Sequence, residues 1–189
     1  MTPRPRSGSF APTASDAAVD RDAIATLIHT YAELLDAGEL EGVAALFANA
    51  TFRSNRNPEV RRGRQQVLKV FRDTVALYDG KPCTQHVTTN LIIEIDVAGR
   101  RAAARSKFTV LQARPELPLQ IILSGRYHDR FARVGGQWRF ADRLILLDLL
   151  GDLRFHLKRD PFARSAPPSL RRRRSGGGRA RGRRRRTSP

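Results

Sequence analysis

The spacing of apolar residues changes once along this chain, at Pro82, and that change restricts the architecture more than any other feature. Before it, Ile24, Leu27, Ile28, Tyr31, Leu34 and Leu35 recur at helical spacing. Asp20 is placed to cap this helix and Gly38 to end it. Leu40, Val43, Leu46 and Phe47 give a second, short helix, and Ala50 to Arg53 a strand. The polar run Asn55 to Gly63, with Pro58 inside it, reads as a loop. Val67, Val70, Phe71, Val75 and Tyr78 predict a third helix, stopped by Asp79-Gly80.

After Pro82 the period is two. Thr84 to Asp96 sets Val87, Thr89, Leu91, Ile93 and Ile95 on one face, and His86, Thr88, Asn90 and Ile92 on the other. Arg101 to Ala113 alternates small or apolar residues with Arg101, Arg105 and Lys107. Leu119 to Val134 is a long strand, and Gly135-Gly136 turns it into Trp138 to Asp148. Three helices followed by an antiparallel meander define an α+β fold, with the helices packed on one face of a curved sheet.

Charge delimits this body. Of 35 basic residues among 189, eleven are arginines in 161–189, where there is no acid; the remaining 24 face all 18 acids. Most of the net charge of +17 is therefore a property of the tail. We expect a disordered arm over 1–19, one domain over 20–160 and a disordered Arg-rich tail over 161–189. The tail lacks interleaved aromatic residues. It suits weak, sequence-independent contact with nucleic-acid phosphates, or serves only to solubilise. No apolar run approaches the roughly 20 residues of a membrane span, and no signal peptide is evident. With a single cysteine, Cys83, the expected compartment is a reducing cytoplasm.

Several segments carry a family likeness. Tyr31-Ala-Glu-Leu-Leu-Asp36-Ala-Gly38-Glu-Leu40 is one, with Ala45-Leu46-Phe47 ahead of a strand. The others are Thr84-Gln85-His86-Val-Thr-Thr-Asn90 and the stretch from Gly125 through Tyr127, Asp129 and Phe131 to Trp138-Arg139-Phe140. In this order they resemble the SnoaL-like branch of the NTF2-like superfamily over roughly residues 20–157. The resemblance implies a cone-shaped α+β domain with an internal apolar pocket, and a homodimer formed through the outer sheet face. It does not choose among the family's many chemistries.

Position by position, the resemblance to scytalone dehydratase-type members places Asp36 and His86 at one pocket. An imidazole exchanges a proton near neutral pH, and a carboxylate beside it fixes its tautomer. The alternative is a buried structural role, with Asp36 paired to His86 or Arg143. The second pocket histidine of those members has no counterpart in Val110-Leu111-Gln112, and their tyrosine before the Asp is Leu35. Tyr31, Asn90, Tyr127 and Gln112 are expected to bind the substrate, Asn90 because it shares the strand face of His86. His29 reads as a helix-flank residue. Asp129 reads as part of a solvated ion pair near His128, Arg130 and Arg139. Cys83 reads as a small buried residue, on the opposite strand face from His86.

The resemblance implies a lyase or isomerase acting on a small hydrophobic, oxygenated ring compound. No cofactor or metal is expected, because the four histidines show no ligand spacing and no phosphate loop is present. The alternative is a non-catalytic ligand-binding or accessory domain.

Overall fold

The computed structural model describes residues 14–96 and 98–158; most of the expected arm and the whole Arg-rich tail lie outside them. Helix α1, Ala14–Ala37, starts inside the segment expected to be an arm, because the Ala-rich run from Ala14 favours helix. Asp20 is therefore not a cap. It is 5% exposed, and its carboxylate accepts hydrogen bonds from Trp138 Nε1 at 2.9 Å and Arg133 Nη1 at 3.0 Å. These bonds pin the helix to the far hairpin. Ile24, Ile28, Tyr31 and Leu35 bury the same stripe against the sheet.

At Gly38 the chain leaves α1 with φ +81° and enters α2, Leu40–Ala45. A Cβ on Gly38 would lie 1.9 Å from the Gly80 carbonyl oxygen. Gly38→Ala is expected to lower stability by about 1–3 kcal/mol from the left-handed backbone alone, with the clash added. Because Asp36 sits two residues earlier, its contacts should loosen as well. Urea unfolding measures the first effect; an unchanged midpoint would show that the two loops separate freely.

Strand β1 is Thr51–Ser54. The expected loop after it is instead strand β2, Asn57–Arg62, paired antiparallel with β1. Pro58 is tolerated because β2 lies at the sheet edge. Helix α3, Gly63–Thr74, is shifted from the expected span, and Val75 and Tyr78 fall outside it. Val75 is extended and bridges Leu157. Around it, the amide of Ala76 donates to the His156 carbonyl at 2.9 Å and that of Lys158 to Thr74 at 2.8 Å. The C-terminal segment thus captures the end of α3.

The long strands are β3, Thr84–Ile95; β4, Arg101–Arg114; β5, Leu117–Val134; and β6, Gln137–Leu150. The sheet order is β2-β1-β6-β5-β4-β3, antiparallel except for the parallel pair β1 and β6. On β4 every second residue from Ala102 to Gln112 is buried, while Arg101, Ala103, Arg105 and Lys107 are exposed. The inner face, α1 and α3 enclose an aromatic core in which Tyr31 meets Phe47 and Tyr127 edge-on, and Tyr127 stacks on Phe108 at 4.2 Å. Among the described residues no helix is long and apolar enough to cross a membrane.

Candidate functional site

Asp36 stands on the last turn of α1, opposite the first residues of β3. Its carboxylate accepts three hydrogen bonds from that strand. Thr84 Oγ1 donates at 2.7 Å, the His86 backbone amide at 2.6 Å, and His86 Nδ1 lies 2.5 Å away. The His86 side chain is 5% exposed and that of Asp36 is 20% exposed, so the pair meets solvent on the Asp36 side. Partial burial alone would raise the Asp36 pKa. The hydrogen bonds from His86 and Thr84, together with the adjacent imidazole, outweigh burial and hold the carboxyl below its usual range. An ionised Asp36 only accepts, which assigns a proton to Nδ1 and leaves Nε2 as the nitrogen that can exchange one. The strand thus presents one basic nitrogen, oriented from behind by a carboxylate.

Asn90, expected beside His86, is elsewhere. The β3–β4 pairing is irregular between Thr89 and Ile92, and Asn90 has φ +52°. The bulge adds one residue and reverses the alternation. Beyond it Leu91, Ile93 and Ile95 turn inward, Ile92 turns out, and Asn90 itself is exposed. Strict alternation could not anticipate this, although Asn is the side chain that best tolerates such a φ.

Tyr31 and Tyr127 are 2% and 3% exposed. Desolvation raises both phenol pKa values, that of Tyr31 to about 12, so both stay protonated at neutral pH. Asp36 lies within electrostatic reach of each. Gln112 is 1% exposed, and its Nε2 donates to the carbonyls of Pro82 at 2.9 Å and Phe155 at 3.0 Å. His29 is exposed on α1, away from the sheet.

Two expectations are corrected. Cys83 is exposed, because the residue adopts φ +55° just before β3 begins. Asp129 forms no solvated pair with Arg139. It is 2% exposed and holds Arg143, itself 0% exposed, through Nε at 2.8 Å and Nη2 at 2.7 Å. Asp129 and Arg143 are direct neighbours across β5 and β6. The Arg143 guanidinium lies 4.1 Å from the Tyr31 ring centre and 4.2 Å from that of Tyr127. Burial alone would lower the Arg143 pKa, but Asp129 outweighs it and keeps the group cationic.

The sequence reading also missed His156. It is 7% exposed and close enough to His86 and Asp36 for both to act on it electrostatically. Its sequence signal is a polar residue between Phe155 and Leu157, on a segment that returns to the core. Among the described residues no three His, Cys, Asp or Glu side chains group as metal ligands. A 620 Å³ cavity borders Ile95, Arg101 and Phe131, and one of 270 Å³ lies against Arg53, Ile92 and His128; neither is lined by Asp36 or His86.

A family model described as the SnoaL-like domain matches residues 16–144. Among solved structures, Rv3472, a protein of unknown function from Mycobacterium tuberculosis, is 28% identical. The alignment covers 76% of this chain and 79% of that one, with a TM-score of 0.61. A proposed scytalone dehydratase from Novosphingobium aromaticivorans is 26% identical over 74% of this chain and 91% of its own, with a TM-score of 0.60. ActVI-ORFA from Streptomyces coelicolor shares the fold at 17% identity, over 68% and 96% of the two chains, with a TM-score of 0.56. No curated protein matches the chain.

Proposed function

The chain belongs to the SnoaL-like domain family, and on that premise we propose that it is a lyase or isomerase acting on a small, hydrophobic, oxygenated ring compound. The supporting observation is the His86–Asp36 pair: an imidazole held at Nδ1 by an ionised carboxylate, at the edge of an aromatic interior. Nε2 of His86 accepts a proton from a carbon next to an electron-withdrawing group and returns it to a neighbouring atom or to a departing hydroxyl. Asp36 stabilises the imidazolium formed in between. Tyr31 and Tyr127, protonated throughout, pack the aromatic interior behind the pair. The likeness to the proposed scytalone dehydratase supports the choice of substrate class.

The test is a screen of hydroxylated and keto ring compounds against the full chain, read by mass spectrometry. Loss of water identifies a lyase, and an unchanged mass with a new retention time identifies an isomerase. Saturable binding without conversion by any compound would favour a carrier or accessory role and remove the enzymatic reading.

For assembly, we propose a homodimer through the outer sheet face. Its support is apolar surface at exposed positions: Val87 is 38% exposed, Ile121 59% and Leu149 69%. Ile121→Lys is expected to convert a dimer to a monomer in sedimentation velocity. A wild-type chain that sediments as a monomer at micromolar concentration overturns this.

A further inference from the structure

We infer that Gln112 and His156 form a neutral hydrogen-bonding subsite, beside the His86–Asp36 pair, for a hydroxyl or carbonyl oxygen of the ligand; this rests on the function proposed above. Gln112 faces inward from β4, opposite Thr84 in the β3–β4 register. Both hydrogens of its Nε2 are engaged, one by Pro82 and one by Phe155. Rotating the amide would set its oxygen against two carbonyl oxygens, so its orientation is fixed. Its Oε1 is buried and has no hydrogen-bond partner among the described residues. An unsatisfied buried acceptor of this kind costs about 1–3 kcal/mol, and such groups call for an explanation.

The same amide links the two halves of the site. Pro82 lies just before Thr84 and His86, and Phe155 just before His156. The His156 backbone is held on both sides, its amide by Leu153 at 3.0 Å and its carbonyl by Ala76 at 2.9 Å. Its ring is nonetheless uncommitted at Nδ1, which is buried without a partner among the described residues. Two unpartnered buried polar atoms thus occur on residues joined through the Phe155 carbonyl.

The chemistry of this pair selects its ligand. Desolvation, reinforced by His86 and opposed by Asp36, lowers the His156 pKa to about 4, so the ring is neutral at physiological pH. A neutral imidazole and an amide oxygen together match a hydroxyl, which both donates and accepts, or a carbonyl opposite the imidazole N–H. A carboxylate does not fit. It would face the amide oxygen and the charge of Asp36. The subsite therefore favours neutral alcohols, phenols and ketones over ring acids, and fixes the oxygen whose neighbouring carbon His86 addresses.

The probes are 4-ethylphenol, its methyl ether and 4-ethylbenzoate, added to the full chain labelled with 15N and followed through the histidine ring resonances at pH 7. The phenol is expected to shift both His86 and His156, and to bind about fivefold to tenfold more tightly than the other two, the worth of about one hydrogen bond. His156→Phe keeps a ring in place and is expected to erase that preference while the His86 shift persists. A phenol that shifts His86 alone, or a preference retained in His156→Phe, overturns the subsite and leaves the role of His86 standing. A phenol that perturbs neither histidine counts against both. The wild-type titration decides the matter even if His156→Phe does not fold.

Discussion

Replacing His86 with alanine is expected to lower turnover of the ring substrate by about 10²–10⁴-fold, the usual contribution of a positioned proton-transfer group. The fold should survive, because Thr84 Oγ1 and the backbone amide of residue 86 still hold Asp36. Asp36→Asn should produce a loss of similar order by another route. An amide presents a donor as readily as an acceptor, so the imidazole is no longer held with its proton on Nδ1. The variants separate in their acid limb. The Asp36 pKa lies below its ordinary 3.8 in the folded chain, so the stabilisation it supplies is fully present above that value. It is lost as pH falls through the lower folded value. The wild type should keep the Asp36 contribution to stability at pH 5, and Asp36→Asn should lack this dependence altogether. Urea midpoints between pH 3 and 7, measured beside kcat, test both statements. Unchanged turnover in His86→Ala would remove the residue from the mechanism.

The parts of this site that were legible in the sequence are those that obey a simple period. Asp36 closes a helical stripe just before Gly38, and His86 occupies the third position of a regular strand, so the order of elements brings them together. What the sequence concealed has local physical causes. One bulge at Asn90 reverses the face of everything beyond it. A second irregularity, between Arg130 and Phe131 on β5, hides the fact that Asp129 and Arg143 are cross-strand neighbours. Strand β2 was masked by Pro58, which only an edge position permits. His156 lay beyond the last strand, where no period signals that the chain folds back over α3. Charge misled in the same way: Arg143 is one of 31 arginines, and composition does not mark it as buried.

That buried arginine carries the largest stability effect we expect. The Arg143 and Asp129 side chains are 0% and 1% exposed, so removing either leaves a charge in the core without its counter-ion. Asp129→Ala and Arg143→Met should each cost about 3–5 kcal/mol, a large part of the 5–15 kcal/mol that typically holds a domain together. Asp129→Ala should be the milder of the two, because the guanidinium retains the faces of Tyr31 and Tyr127, and cation–π contacts contribute about 2 kcal/mol when desolvated. Among the described residues Asp129 has no such second partner. The double variant Asp129→Leu with Arg143→Met should recover most of the loss, since well-packed apolar pairs replace buried ion pairs at little cost or with gain. A double-mutant cycle in urea isolates the coupling. Single losses below about 1 kcal/mol would mean that the pair behaves like an exposed one, with water reaching it. Catalysis in the recovered double variant then asks a separate question. If the pair serves only the fold, turnover returns with stability. If turnover stays low in a stable protein, the Arg143 cation under Tyr31 and Tyr127 also shapes the electrostatics of the site.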